Sequence, residues 1–238
     1  SKDKNKTVGQ LSPTPKLEKL IGGLGIGNSD HVVLIPVGGK ALDVGTAARI
    51  YWTFKVLGHN NVSILDGGMR AYTKAVDKKT KKPINPMETG AVKPTAKTFK
   101  GNIRHEMLVS KADVKKVMDA GGVLVDFRPN NQFVGVNKHG KSKRYGTIPG
   151  AKNLPENWLT KNGGGSFRNS DELKKLYDLA NVPTDGSQIT FCNSGHWASL
   201  GWFVSSELLG NKNAKMYDGS MIEWSADKSL PIQSSFKR

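Results

Sequence analysis

The chain is predicted to be an α/β protein in which parallel strands are flanked by helices, and three observations predict it. Short apolar runs rich in β-branched residues alternate with segments whose apolar residues recur at helical spacing. The order strand, loop, helix, strand occurs twice, which is how a polypeptide joins parallel neighbours. The second copy also holds the only cysteine in 238 residues, where a strand-like run breaks into small and polar residues.

Residues 1–9 (SKDKNKTVG) are polar and expected to be frayed. Pro13 and Pro15 then open a helix carrying Leu17, Leu20 and Ile21, which Gly22-Gly23 end. His31–Val37 is an apolar strand followed by a loop over Gly38–Gly45. A helix over Thr46–Leu57 ends at Gly58, and the strand Asn61–Leu65 runs into Asp66-Gly67-Gly68-Met69. In the second copy a helix over Asp171–Ala180 is capped by Ser170. A strand (Gln188–Phe191), a loop (Asn193–Ala198) and a helix (Ser199–Leu209, ended by Gly210) follow. The strand Ala214–Tyr217 then runs into Asp218-Gly219-Ser220-Met221.

Val56-Leu57-Gly58 matches Leu208-Leu209-Gly210, and Leu65-Asp66-Gly67-Gly68-Met69 matches Tyr217-Asp218-Gly219-Ser220-Met221, so the unit is duplicated. The second copy has more in front of it. A helix over Lys111–Ala120 starts at a capping box of Ser110 and Asp113. The strand Val123–Asp126, then Phe127-Arg128-Pro129, and later Gly146–Ala151 follow. The first copy has no counterpart of these and reads as the C-terminal half of a domain. Between the copies, Thr73–Lys100 holds eight lysines and three prolines, the composition of a solvated linker. That reading is preferred to a membrane or nucleic-acid role for Lys78–Lys82.

Composition narrows the function classes. Hydrophobic content of 37% with 24% charged residues describes a soluble globular protein. No apolar run reaches the length of a membrane helix, and no secretory apolar segment is present. The chain starts with Ser1 rather than Met, which fits a processed or trimmed N-terminus. The bacterial periplasm is favoured over the cytoplasm. One cysteine excludes an intrachain disulfide, a multi-cysteine zinc site and a Cys-x-x-Cys pair; no metal or cofactor is expected. The 36 basic against 20 acidic residues give a formal charge of +16, which favours anionic substrates or acidic partners. The lysines are scattered and lack interleaved aromatics, so neither nucleic acid nor membrane is an expected partner.

Cys192 faces the start of a helix, where unpaired N–H groups and the helix dipole favour anions and thiolates. The expectation is a thiol held below its ordinary pKa of about 8.5. The other reading of a lone cysteine is a small buried hydrophobe, and sequence context alone leaves both open.

Four stretches together resemble the rhodanese family of sulfurtransferases. They are Leu124-Val125-Asp126-Phe127-Arg128-Pro129, Gly146–Pro155 (GTIPGAKNLP), the cysteine loop, and Tyr217–Trp224 (YDGSMIEW), in family order across residues 99–230. A weaker match covers 10–72, and the layout is similar to tandem rhodaneses. The resemblance implies tandem domains: residues 10–72, the C-terminal half of a cysteine-less rhodanese-like domain; 73–98, the Lys/Pro-rich linker; and 99–238, a catalytic rhodanese-like domain. Strands completing the first domain are expected from a second chain or a cleaved N-terminal fragment, because an open half-sheet exposes strand edges.

The resemblance also implies a ping-pong reaction. Cys192 takes a sulfane sulfur from a small anionic donor, such as thiosulfate or mercaptopyruvate, and passes the persulfide sulfur to a thiol or protein acceptor. Amides of Asn193, Ser194, Gly195, His196, Trp197 and Ala198 would stabilise the anionic sulfur. This loop departs from the family in Asn193, Ser194 and Trp197. His196 reads as a proton carrier or anion contact, or as an exposed polar residue. Trp197 reads as a pocket wall, or as core or domain interface. Asp126 and Arg128 read as an ion pair that orders the cysteine loop, in preference to direct substrate binding. Of the cluster Lys138, His139, Lys141, Lys143 and Arg144, part is expected to attract the anionic donor or an acidic acceptor; a mobile solvated loop is the alternative.

Two rivals share the fold. A Cys-centred phosphatase needs an arginine closing the loop, and none follows Cys192. A catalytically silent rhodanese-like binding module stays open.

Overall fold

The computed structural model describes residues 7–237. In chain order its elements are α1 (Thr14–Gly23), β1 (Val32–Leu34), α2 (Ala41–Val56), β2 (Val62–Ile64), α3 (Gly68–Lys74), α4 (Lys111–Asp119) and β3 (Val123–Asp126). They continue with α5 (Asn130–Phe133), β4 (Lys152–Asn153), α6 (Ser170–Leu179), β5 (Gln188–Phe191), α7 (His196–Phe203), β6 (Ala214–Met216) and α8 (Ser220–Ala226).

The strands form two wholly parallel sheets, β1–β2 and β4–β3–β5–β6. The expected α/β architecture of parallel strands flanked by helices is therefore present. The two predicted strands β3 and β5 have the expected bounds, and they pair from Val123 opposite Gln188 to Asp126 opposite Phe191. β5 is buried along its whole length, as a central parallel strand must be. β1 is shorter than predicted. Pro36 cannot donate to a ladder, and Val33, Ile35 and Val37 stay 49%, 51% and 71% exposed.

Two helices begin earlier than expected, each because of a local cap. α2 starts at Ala41 rather than Thr46, since the Asp43 carboxylate accepts the amides of Gly39 at 2.8 Å and Lys40 at 3.2 Å. α7 starts at His196 rather than Ser199. The Gly195 carbonyl accepts both the Ser199 amide, at 2.8 Å, and its hydroxyl, at 2.6 Å. His196, Trp197 and Ala198 are thus the first turn of a helix and not loop. The helix also widens into a π turn over Val204–Leu208. For α6 the cap is Asn169, not Ser170: its side chain accepts the Glu172 amide at 2.9 Å, and Glu172 accepts the Asn169 amide in return. The capping box of Ser110 and Asp113 before α4 is as predicted.

The two halves share one core. α2 and α7 pack face to face, and a Cβ on Gly45 would come within 3.3 Å of the His196 carbonyl. Tyr51 meets Phe203 edge to face at 4.9 Å, and Trp52 and Leu200 are fully buried in the same cluster. A second cluster, around Leu124, Ile189, Tyr217 and Trp224, covers the other face of the larger sheet. The end of the expected linker belongs to this packing. Lys97 donates its amide to the Gly22 carbonyl, and Phe99 is 2% exposed against Phe54 and His59.

The segment before α1 crosses to the second half, and the segment before α6 crosses to the first. Leu11 donates its amide to Asp218 at 2.6 Å, and Phe167 donates its amide to Asp66 at 2.8 Å. Asp66 and Asp218 are the matched aspartates of the duplicated motif. The expected fraying therefore stops short of Gly9, which packs on Ser194; residues 1–6 of that expectation lie outside the described residues.

Candidate active site

Cys192 follows β5 directly and is 1% exposed. Its loop is short because both neighbours are pinned. The Cys192 amide donates to Ser220 Oγ at 3.1 Å, and the Cys192 and Asn193 carbonyls accept the amides of Met221 and Ile222 at the start of α8. Gly195 then turns the chain at φ 91°, a left-handed conformation that disfavours side chains. That turn aims the Gly195 amide at Sγ, 3.1 Å away.

The amides of Ala198, Ser194, Gly195 and Trp197 pull the thiol pKa down, but burial of the sulfur pushes it up by more. The net direction is upward, opposite to the sequence expectation. The physical reason is that the helix start supplies dipoles without a countercharge, while the core strips the sulfur of water. His196 moves the other way: burial and the Arg49 charge lower its pKa, so the ring is neutral at neutral pH.

Sγ faces a cavity of about 140 Å³ lined by Leu42, His139, Cys192, Asn193, Ser194, His196 and Trp197. This is below the few hundred Å³ of a drug-sized pocket and suits a small donor. Asn193 donates its side-chain amide to Gln132 at 2.9 Å, while its Oδ1 and the Trp197 Nε1 are buried without a partner. Trp197 serves both expectations, lining the cavity and packing on the shared core. Of the basic cluster, His139 alone reaches the cavity. Its Nδ1 accepts the Lys141 amide at 3.2 Å.

Four predicted site residues lie elsewhere. Asp126 and Arg128 form a buried pair whose remaining bonds run to Gly146 and Thr147 and not to the cysteine loop. Arg144 donates to the carbonyls of Trp224, Ser225, Asp227 and Leu230. It closes the C-terminal end of α8, where a cation meets unpaired carbonyls. Lys143 is held by its backbone, which donates to Ser225 Oγ, and its exposed side chain is outside the cavity lining.

A different ion pair joins the two halves of the chain. Arg49 of α2 pairs with Asp218 and donates to the Gly9 carbonyl at 3.1 Å. A Cβ on Gly195 would fall 2.6 Å from Arg49 Nη1 and 2.8 Å from Asp218 Oδ1, so the pair lies against the loop. Asp218 was visible in the duplicated motif. Arg49 was not, because its partner is 169 positions away. Among the described residues no group of three or more His, Cys, Asp or Glu could hold a metal ion, and no helix is long and apolar enough to cross a membrane.

A lone thiol in an amide-lined turn after a central parallel strand defines a class of α/β proteins built around a cysteine-centred anion loop. A profile described as Rhodanese-like domain matches residues 110–227. The chain is 36% identical over 228 residues to a Saccharopolyspora erythraea protein carrying the provisional name of thiosulfate sulfurtransferase, over 91% of this chain and 75% of that one. It is 31% identical over 226 residues to the sulfur carrier protein TtuD of Thermus thermophilus, over 90% and 74% of the two chains. The crystal structure of SseA from Escherichia coli, a 3-mercaptopyruvate sulfotransferase, matches at TM-score 0.73 and 26% identity, over 89% of this chain and 74% of that one. The chain belongs to the rhodanese-like sulfurtransferases.

Proposed function

We propose that Cys192 moves a sulfane sulfur from a small anionic donor of the thiosulfate or mercaptopyruvate type to a thiophilic acceptor. The observation that carries this reading is Sγ itself, held 3.1 Å from the Gly195 amide at the start of α7 and open to a small cavity.

With thiosulfate, the Cys192 thiolate attacks the outer sulfur. A new S–S bond forms to Sγ, the old one breaks, and sulfite leaves with its electron pair. The negative charge then rests on the terminal sulfur of the persulfide, where the amide-lined turn receives it. A thiol or cyanide attacking that sulfur regenerates the Cys192 thiolate. Because burial raises the thiol pKa, the proton has to leave before attack. His196, which lines the same cavity with a neutral ring, is the acceptor this reading assigns to it.

Intact mass spectrometry after incubation with thiosulfate and with mercaptopyruvate tests this directly. One added sulfur atom on the native chain, absent from Cys192→Ala, is the expected result. No gain with either donor would instead favour a silent binding module.

A further inference from the structure

Asp218 has two partners from outside its own half of the chain. Arg49 reaches it from α2, and the Leu11 amide reaches it from the segment before α1, at 2.6 Å. The Arg49 and Asp218 side chains are only 11% and 14% exposed. Arg49 also donates to the Gly9 carbonyl and stacks over the Trp52 ring at 4.7 Å, which fixes the plane of its guanidinium. This assembly is packed against Gly195, with no room for a methyl group between them. Gly195 is the residue whose amide faces Sγ, and its carbonyl starts α7. A shift of the pair therefore moves both the amide and the first helical turn carrying His196 and Trp197.

We propose that Arg49 of the cysteine-less half is a positioning residue for the sulfur-carrying loop. Through Asp218, and with Gly9 and Leu11 holding the other side of the pair, it fixes Gly195 and so sets where the thiol sits. The first half is then part of the catalytic apparatus, although it contributes no reacting atom. This rests on the reading of Cys192 as a sulfur carrier, but it concerns the geometry of the thiol and can be measured without any sulfur donor.

The test uses the full chain and two readouts: the pH midpoint of Cys192 alkylation by iodoacetamide, and the rate of persulfide formation from thiosulfate at varied donor concentration. Arg49→Ala should move the alkylation midpoint upward. It should also slow persulfide formation at saturating thiosulfate by about tenfold, short of the roughly hundredfold that removing an anion-facing donor outright costs. The half-saturating donor concentration should stay within about twofold, since Arg49 does not line the cavity.

Arg49→Lys is the second variant, and it decides the matter if Arg49→Ala does not fold. It keeps the charge and loses the planar fork that engages Asp218 and the Gly9 carbonyl together. An upward midpoint in Arg49→Lys reports position and not charge. Unchanged midpoints and rates in the folded variants, whatever their melting temperatures, would overturn the proposal. If the native chain takes up no sulfur yet its alkylation responds to Arg49, the sulfur-carrier reading fails and the positioning stands.

Discussion

Arg128 grips Asp126 from two positions along the chain, with Nε at 2.9 Å and 3.0 Å from the two carboxylate oxygens and Nη2 at 2.6 Å from Oδ2. The pair is 1% and 0% exposed, and its remaining capacity is used by the Gly146 carbonyl and the Thr147 hydroxyl, both at 2.8 Å. It ties the end of β3 to the segment leading into β4.

That arrangement makes a prediction about stability and not about chemistry. Arg128→Ala leaves the Asp126 carboxylate buried and unpaired, which costs about 3–5 kcal/mol. Urea unfolding should show the loss. In the fraction that folds, alkylation of Cys192 should keep the native pH midpoint, because no bond of the pair reaches the cysteine loop. A shifted midpoint would return Arg128 to the role the sequence suggested for it.

The contrast between Arg128 and Arg49 shows what could be read from the chain. Asp126 and Arg128 are neighbours in a motif, so their pairing was legible, and only its direction was misjudged. Cys192, the strands β3 and β5 and the duplicated aspartates were equally legible, since local periodicity and repetition encode them. The pairing of Arg49 with Asp218 and the entry of Leu42 into the cavity depend on α2 crossing α7, which no local pattern expresses. The upward thiol pKa was missed for a related reason. A helix start is visible in sequence, whereas the depth of burial that opposes it is a property of the packed whole.

A second prediction concerns pH. The folded thiol pKa lies above the ordinary value, so the folded state holds its proton where the unfolded chain releases it. The stabilising contribution is complete below about pH 8.5 and is lost as pH rises through the folded value. Denaturation midpoints measured from pH 7 upward should therefore fall in the alkaline range, and less steeply for Cys192→Ala. Alkylation of native Cys192 should be slow at neutral pH and accelerate above the ordinary thiol range. A midpoint near neutrality would show that the amides outweigh burial.

A third prediction follows from the size of the cavity. Leu42 enters from the cysteine-less half and Trp197 stands in the first turn of α7, and between them they help confine a space of about 140 Å³ in front of Sγ. Leu42 is 38% exposed, so Leu42→Ala widens the mouth with little loss of core packing, well below the roughly 2–5 kcal/mol of a buried Leu→Ala change. Thiosulfate is compact and already fits the scale of the cavity, so its half-saturating concentration should change little. Mercaptopyruvate carries a longer carbon chain and should gain from the added room. The ratio of second-order rate constants for mercaptopyruvate over thiosulfate is the quantity to measure, and it should rise by a few-fold in Leu42→Ala, less than the roughly tenfold or more that one methylene is worth in an enclosed pocket, because Leu42 is partly open to solvent. An unchanged ratio would mean that Leu42 does not set donor choice.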